Sequence, residues 1–380
     1  MHILVLGGTG NFGARIVRAL HADPKLRVTA ASRHASSVPG AESVTTVTLD
    51  CHSAAFPDEL IALKPDLVIH CVGPFQGQDY RVAQAAVAAN AHYVDLADGR
   101  EFVAGFAAAL QDRACRQGRV AISGASTLPA LSSAVIDALA ESMRALESIE
   151  ISIAPGQRAA RGEATLASVF SYLGRPTRIW REGKWQRGWG WMDLRRIHLD
   201  IGSRWGAICD VPDLTLFPER YPGVRSVEFH AALEFKLQHA ALWVLSSLRR
   251  AGLTLPVDRW AIGLNRLTAL FDPFAGPYGG MRVSVIGRNH ADERMRRTWQ
   301  LKAPALNGPE VPCLAAILLA HRMATGMVVQ PGAYCCMGML RLADFAPSFE
   351  QWNIRTRIEE KLLPDSRQLT QFSGHSECGH

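Results

Sequence analysis

Met1-His-Ile-Leu-Val-Leu-Gly-Gly-Thr-Gly-Asn-Phe-Gly13, the opening of the chain, reads as an apolar strand running straight into a glycine turn. Ile3–Leu6 is the strand, and Gly8-x-Gly10-x-x-Gly13, with Gly7 as an extra glycine, is the turn. Ala14–Leu20 follows as a helix and Arg27–Ala31 as a second strand. A glycine pattern alone carries little weight; between a strand and a helix it is the fingerprint of a dinucleotide site. The glycines there allow a tight turn, a close approach of backbone to pyrophosphate, and tight packing of helix on sheet. The helix N-terminus turns N–H groups and a positive dipole end toward the phosphates. Gly7, Gly8, Thr9, Gly10, Asn11, Phe12 and Gly13 are therefore the expected phosphate loop.

An acidic residue about twenty positions after the glycines would hold the ribose 2′-hydroxyl of NAD. Arg33 stands there instead, within Ser32-Arg-His-Ala-Ser-Ser37. Its planar fork of donors suits a 2′-phosphate. The reading is NADP rather than NAD, with Ser32 and Arg33 at the phosphate. Asp50, after the apolar stretch Val44–Leu49, is expected on the adenine side.

At 380 residues the chain has room for about two domains. It is 48% hydrophobic and 20% charged, ordinary for a globular protein and ample for a packed core. The net charge is +6, and 35 of the 41 basic residues are Arg, which favours fixed contacts to anions over a generally basic surface. No run of like charge forms a nucleic-acid arm. The eight cysteines are scattered, form no C-x-x-C pair and follow no secretory signal, so reduced thiols and a cytoplasmic location are expected. No metal site is expected. No apolar run reaches the ~18–20 residues of a membrane span.

Strands at Asp66–Val72, His92–Leu96 and Arg119–Ile122 alternate with helices at Asp58–Leu63, Asp79–Asn90 and Glu101–Gln117. That alternation predicts a doubly wound α/β domain over residues 1–128, its ligand beyond the carboxyl ends of the strands. Val72, Gly73 and Pro74 end one strand there and are expected beside the nicotinamide ribose. A helix is expected from Thr127 to about Ala145, after which the texture changes. Ile149–Ile153, Ser226–His230 and Met281–Ile286 alternate with period two, and Thr177–Gln186 reads as a hairpin turning at Glu182-Gly183. Residues 129–307 are thus expected to form a second α/β domain on a mixed or antiparallel sheet, with helices at Ala240–Ala251 and Val257–Leu270. Residues 308–363 read as a helical return segment packing on the first domain, and 364–380 as a flexible tail.

Gly73-Pro-Phe-Gln-Gly-Gln-Asp-Tyr-Arg81, followed by His92-Tyr-Val-Asp-Leu-Ala-Asp-Gly99, resembles the saccharopine dehydrogenase-like family. The likeness covers residues 1–130 and includes the opening glycines; it is looser around Ala303–Pro312. In the central region only Arg161-Gly162 and Asp210-Val-Pro-Asp213 resemble bacterial members. The resemblance implies a Rossmann domain, an α/β second domain and pyridine-nucleotide reduction. It leaves the substrate open among amino acids, polyamine precursors and carrier-bound lipids. A short-chain dehydrogenase, the competing reading of the glycine turn, needs Tyr-x-x-x-Lys, and none of the six tyrosines has Lys four residues later.

For proton transfer the sequence offers Tyr80, Asp98 and His230; for the substrate, Arg100, Ser126, Arg158 and Arg161. The stretch 175–205 interleaves five Trp with Arg and Lys, a pattern that suits a domain or dimer contact, a stacked ligand or a membrane interface. The leading expectation is an NADP-dependent oxidoreductase, a homodimer, reducing a C=N, C=O or C=C bond of a small molecule, anionic or lipid-like. The alternatives are a nucleotide-binding module without turnover, and an enoyl-reductase-like or peripheral lipid-associated protein.

Overall fold

The computed structural model describes residues 1–160, 162–253, 268–326 and 329–364. The first half alternates β1 (His2–Leu6), α1 (Gly13–His21), β2 (Arg27–Ser32), β3 (Thr45–Thr48), α2 (Phe56–Leu63), β4 (Leu67–His70), α3 (Arg81–Ala88), β5 (His92–Asp95), α4 (Arg100–Arg116) and β6 (Val120–Ser123). Every residue of β1, β4 and β6 is buried, as in a parallel sheet covered by helices on both faces. The strands lie in the order β3-β2-β1-β4-β5-β6, so the order reverses between β1 and β4. That reversal opens a crevice at the carboxyl ends of the two strands, where this fold holds dinucleotides.

A tight helical turn at Thr127–Leu131 leads into α5 (Ser132–Ala140), which packs against the second sheet. That sheet is laid down by β7 (Met143–Ala154), then, after α6 (Glu163–Ser171), by β8 (Pro176–Arg181), β9 (Lys184–Trp189), β10 (Arg195–Leu199) and β11 (Gly202–Ile208). Next come α7 (Asp213–Arg220), β12 (Ser226–Ala232), α8 (Lys236–Arg250), β13 (Tyr278–Asn289) and β14 (Arg294–Pro304). The chain then gives α9 (Val311–Ala324), β15 (Gly332–Cys335), α10 (Leu342–Gln351) and β16 (Arg355–Leu362). The second sheet has nine strands and is mixed: β12 runs parallel to β7, while β13 and β14 are antiparallel to their neighbours. One continuous apolar core runs from Ile3 and Leu4 of the first sheet to Val283 and Trp299 of the second.

The architecture is the doubly wound domain plus mixed-sheet domain expected. The β8–β9 hairpin turns at Glu182 and Gly183, both at positive φ, the geometry of a two-residue hairpin. Three expectations need correction. The helix from Thr127 ends at Ala140, and β7 begins at Met143, because Met143 and Ala145 pair with Asn289 and Arg288 of β13. Gly287 makes that pairing feasible, since a Cβ there would lie 2.1 Å from the Ala145 carbonyl oxygen. The return segment is not only helical: β15 joins the first sheet beside β6, and β16 joins the second beside β14. Finally, only 268–270 of the helix expected at Val257–Leu270 are described, and Ala269–Phe274 is a 3-10 turn. The tail beyond Pro364 lies outside the described residues.

Candidate active site

The glycine turn is built as its spacing requires. Gly7 has φ 76°, and the Gly7 and Gly8 N–H groups donate to the Ala31 carbonyl at 2.8 and 3.0 Å. That pair of bonds closes β1 onto β2 just before the turn. A Cβ on Gly8 would sit 2.8 Å from the Ala30 Cβ, and one on Gly13 only 2.1 Å from the Gly7 carbonyl oxygen. Gly13 therefore lets α1 start against the strand. No side chain caps α1 and no acidic residue stands in its first turn, so its positive end is left to a ligand.

This turn forms one wall of a cleft of about 400 Å³. Gly7, Thr9, Gly10, Asn11, Phe12 and Gly13 line it, with Ser32, Arg33 and Asp50 at the ends of β2 and β3, and Val72 and Gly73 after β4. Gly8 and Pro74 are not in the lining: Gly8 is used for packing on Ala30, and the Pro74 carbonyl accepts a hydrogen bond from the Gln78 amide. The structure adds His34, Cys51, His52 and Cys71 to the wall. His34 and His52 adjoin residues singled out by sequence, but histidine carries no phosphate signal of its own. The cleft fits a phosphorylated dinucleotide: bare glycine backbone and a free helix end at one side, an Arg at the other.

A second cavity, about 500 Å³, lies against the first and shares Phe12 with it. It is apolar. Ile153, Val169, Phe170, Leu242, Met281 and Leu301 come from the second domain, and Thr127 from the end of the first sheet. Among the described residues no charged side chain lines it. Among the described lining residues Trp191 and Gln238 are buried, and neither the Trp191 Nε1 nor the Gln238 Nε2 has a hydrogen-bond partner. Trp191 belongs to the Trp/Arg stretch read from the sequence and Gln238 to no local pattern; only the tertiary fold brings the two to one cavity.

The three proton-transfer candidates are not brought together. Tyr80 donates its hydroxyl to the Phe102 carbonyl at 3.0 Å and packs on Phe102 and Phe106, away from both cavities. His230 is fully buried beside Glu228, and burial with Arg195 nearby lowers its pKa to about 4. It carries no spare proton at neutral pH. Asp98 is outside both linings; its carboxylate accepts from Ser168 of α6 at 3.0 Å and from Gln76 at 3.3 Å. Burial pushes its pKa up while those two bonds oppose the rise. Asp98 thus ties the Gly-Pro-Phe loop to the second domain.

The substrate candidates scatter as well. Arg100 is buried and committed to Asp210, Thr215 and the Arg178 carbonyl, so it braces the domains. Ser126 is outside both linings, though its neighbour Thr127 is inside one. Arg158 donates to the Asp272 carbonyl, and Arg161 lies outside the described residues. In the Trp/Arg stretch the rings meet their own arginines: Arg178 lies 4.6 Å over Trp185, and Arg250 lies 4.8 Å over Trp189. Those cations stack within the molecule.

Residues 3–146 match the family model described as saccharopine dehydrogenase NADP binding domain. The first domain is thus similar to that NADP-binding domain. No protein of curated function matches the chain. Among solved structures, apo saccharopine dehydrogenase (L-Glu forming) from Saccharomyces cerevisiae superposes with a TM-score of 0.66 at 12% identity, covering 96% of this chain and 100% of that one. A homospermidine synthase from Legionella pneumophila in complex with NAD gives 0.61 at 11% identity, over 100% of this chain and 93% of that one. The likeness to these folds therefore extends through the second domain. Among the described residues no helix is long and apolar enough to cross a membrane.

Proposed function

We infer that the protein is an NADP-dependent oxidoreductase whose substrate is a neutral, largely apolar molecule carrying a hydrogen-bond acceptor. The observation that carries this reading is the junction of the two cavities at Phe12, one lined by the glycine turn and Arg33, the other apolar. NADPH, when bound, supplies the hydride; the protein contributes orientation, exclusion of water and electrostatics. Gly7–Gly13 and the end of α1 hold the pyrophosphate, and Arg33 with Ser32 holds the 2′-phosphate. Phe12 separates the nucleotide from the apolar space.

The lining argues about the substrate. An amino acid or an imine made from one brings a carboxylate or an ammonium, and a buried ion without a partner is very costly. The cavity supplies no such partner among the described residues. Two of its lining residues, Trp191 and Gln238, carry buried donors without a partner, and a buried donor left unpaired costs about 1–3 kcal/mol. A carbonyl oxygen satisfies them. This favours a C=O bond, or a C=C bond conjugated to one, over C=N.

The test is NADPH oxidation with long-chain 2-enones and ketones set against pairs of 2-oxo acid and amine. Turnover is expected only with the first group. Turnover confined to the oxo acid and amine pairs would overturn the substrate reading. As a control, Ala231→Phe, which fills the apolar cavity, is expected to abolish turnover and leave NADPH affinity within about twofold, because Ala231 lies outside the nucleotide cleft.

A further inference from the structure

The nucleotide cleft is close to neutral where its ligand is most charged. Among its described lining residues Arg33 brings one positive charge and Asp50 one negative charge. Cys51 and Cys71 add none, because burial pushes both thiols above their ordinary range. A phosphate monoester carries a charge of about −1.5 to −2 at pH 7. One arginine set against one aspartate leaves most of that charge without a counterpart. The other described lining side chains able to become positive are those of His34 and His52.

Two strand ends bring these imidazoles to Arg33. β2 and β3 run parallel with Ser32 opposite Thr48, and the Leu49 N–H donates to the Ser32 carbonyl at 2.9 Å. Arg33 and His34 therefore leave β2 alongside Asp50, Cys51 and His52, which leave β3. The Asp50 carboxylate turns its own segment by accepting the His52 backbone N–H at 3.0 Å. Arg33, His34 and His52 are exposed, and their side chains make no hydrogen bond or ion pair with a described residue.

Few other charged groups face them. Just before α3, Asp79 feels the charge of His52, but its carboxylate already accepts from the Arg81 Nε and Nη2 at 2.9 and 2.7 Å. Behind the cleft, burial lowers the pKa of His70 to about 3, so that ring stays neutral.

We propose that His34 and His52 complete the 2′-phosphate subsite with Arg33, and that their protonation sets how strongly the protein prefers the phosphorylated nucleotide. The inference rests on the NADP reading above and adds to it a dependence on pH. Histidine is the side chain whose ordinary titration falls near neutral pH. As imidazolium, each ring offers a charge-assisted hydrogen bond to a phosphate oxygen. As neutral rings they leave Arg33 to balance the phosphate alone. Preference for the phosphorylated nucleotide is therefore greatest in mild acid and declines as pH rises.

Adenosine 2′,5′-bisphosphate and 5′-AMP are the probes, because they differ only in the 2′-phosphate. Calorimetric titration of the full chain at about pH 6.5 and about pH 9 gives the ratio of their affinities. The wild-type ratio is expected to fall roughly four- to twentyfold between the two, about two- to fivefold for each exposed charge pair. His34→Ala/His52→Ala is expected to show the low ratio at both pH values. Its unchanged affinity for 5′-AMP reports that the variant is folded. Arg33→Ala is expected to lower the ratio at both pH values and to keep the decline, since both histidines remain. A wild-type ratio that is the same at both pH values overturns the proposal. So does a double histidine variant that keeps the wild-type ratio and its decline. In either case a loss on Arg33→Ala leaves the NADP reading standing. Equal affinity of the wild type for both probes at both pH values overturns that reading, and this inference with it.

Discussion

Arg33 and Asp213 show two ways in which one side chain changes the behaviour of the whole protein. Arg33 lines the nucleotide cleft where an acidic residue would select NAD. A hydrogen bond to a charged group contributes roughly 1.5–3 kcal/mol, or about ten- to a hundredfold in affinity. Arg33→Ala is expected to weaken NADPH by that factor and leave NADH nearly unchanged; calorimetric titration with both nucleotides checks it. Asp213 is buried at the start of α7 with the Ser132 hydroxyl donating to one oxygen and nothing to the other. Burial raises its pKa to about 7. Between about pH 4, the ordinary carboxylate value, and pH 7, the folded chain keeps a proton that the unfolded chain has released. Stability should therefore fall as pH rises through that window, by up to ~4 kcal/mol at about 1.4 kcal/mol per pH unit. Asp213→Asn should flatten the slope of urea-unfolding free energy against pH and stabilise the protein above pH 7.

At the scale of elements, the contact between β1 and α1 is the tightest constraint on the nucleotide site. Leu4–Leu6 and Ile16–Leu20 face each other only because Gly13 has no side chain. Gly13→Ala would place a methyl 2.1 Å from the Gly7 carbonyl oxygen, so either α1 or the turn must shift. Overpacking of this kind costs ~1–3 kcal/mol, and the shift also moves the helix end away from the phosphates. A lower urea midpoint together with loss of measurable NADPH binding is expected. A variant with wild-type affinity for NADPH would show that the turn tolerates the change. This constraint was legible in the sequence, since the glycine spacing names the contact. The start of β7 was not. Met143–Leu146 carries no alternation of its own and is drawn into a strand by pairing with β13, almost 150 residues away in the chain.

For the molecule as a whole, the decisive feature is how the last part of the chain stitches the two sheets together. α9 packs on α1, Glu310 just before it forms an ion pair with Arg15, and the Cys313 thiol donates to the Phe12 carbonyl. Both ion-pair partners are largely buried. Removing one leaves the other charge buried and unpaired, which costs ~3–5 kcal/mol. Arg15→Ala and Glu310→Ala should each destabilise by about that amount, and the double variant by clearly less than their sum, as measured by denaturant unfolding. Additive losses would mean that the pair is not coupled. The same stitching places the wall of the apolar cavity, from Gly308 to Pro312, beside the nucleotide turn.

By itself the sequence determined the first sheet and its glycine turn, and named Arg33, which lines the same cleft, because each is a local pattern: strand, turn and helix within about 35 residues. It also determined that a second sheet of period-two strands follows, leaving open whether it is mixed or antiparallel; the parallel pairing of β12 with β7 made it mixed. Only the tertiary structure decided which side chains meet. Tyr80, Asp98 and His230 lie on different elements, and the fold sends the first to a helix contact, the second to a loop latch and the third to a buried layer. The meeting of Trp191 and Gln238 at one cavity was invisible beforehand for the same reason. A buried donor without an acceptor exists only relative to neighbours that are distant in sequence.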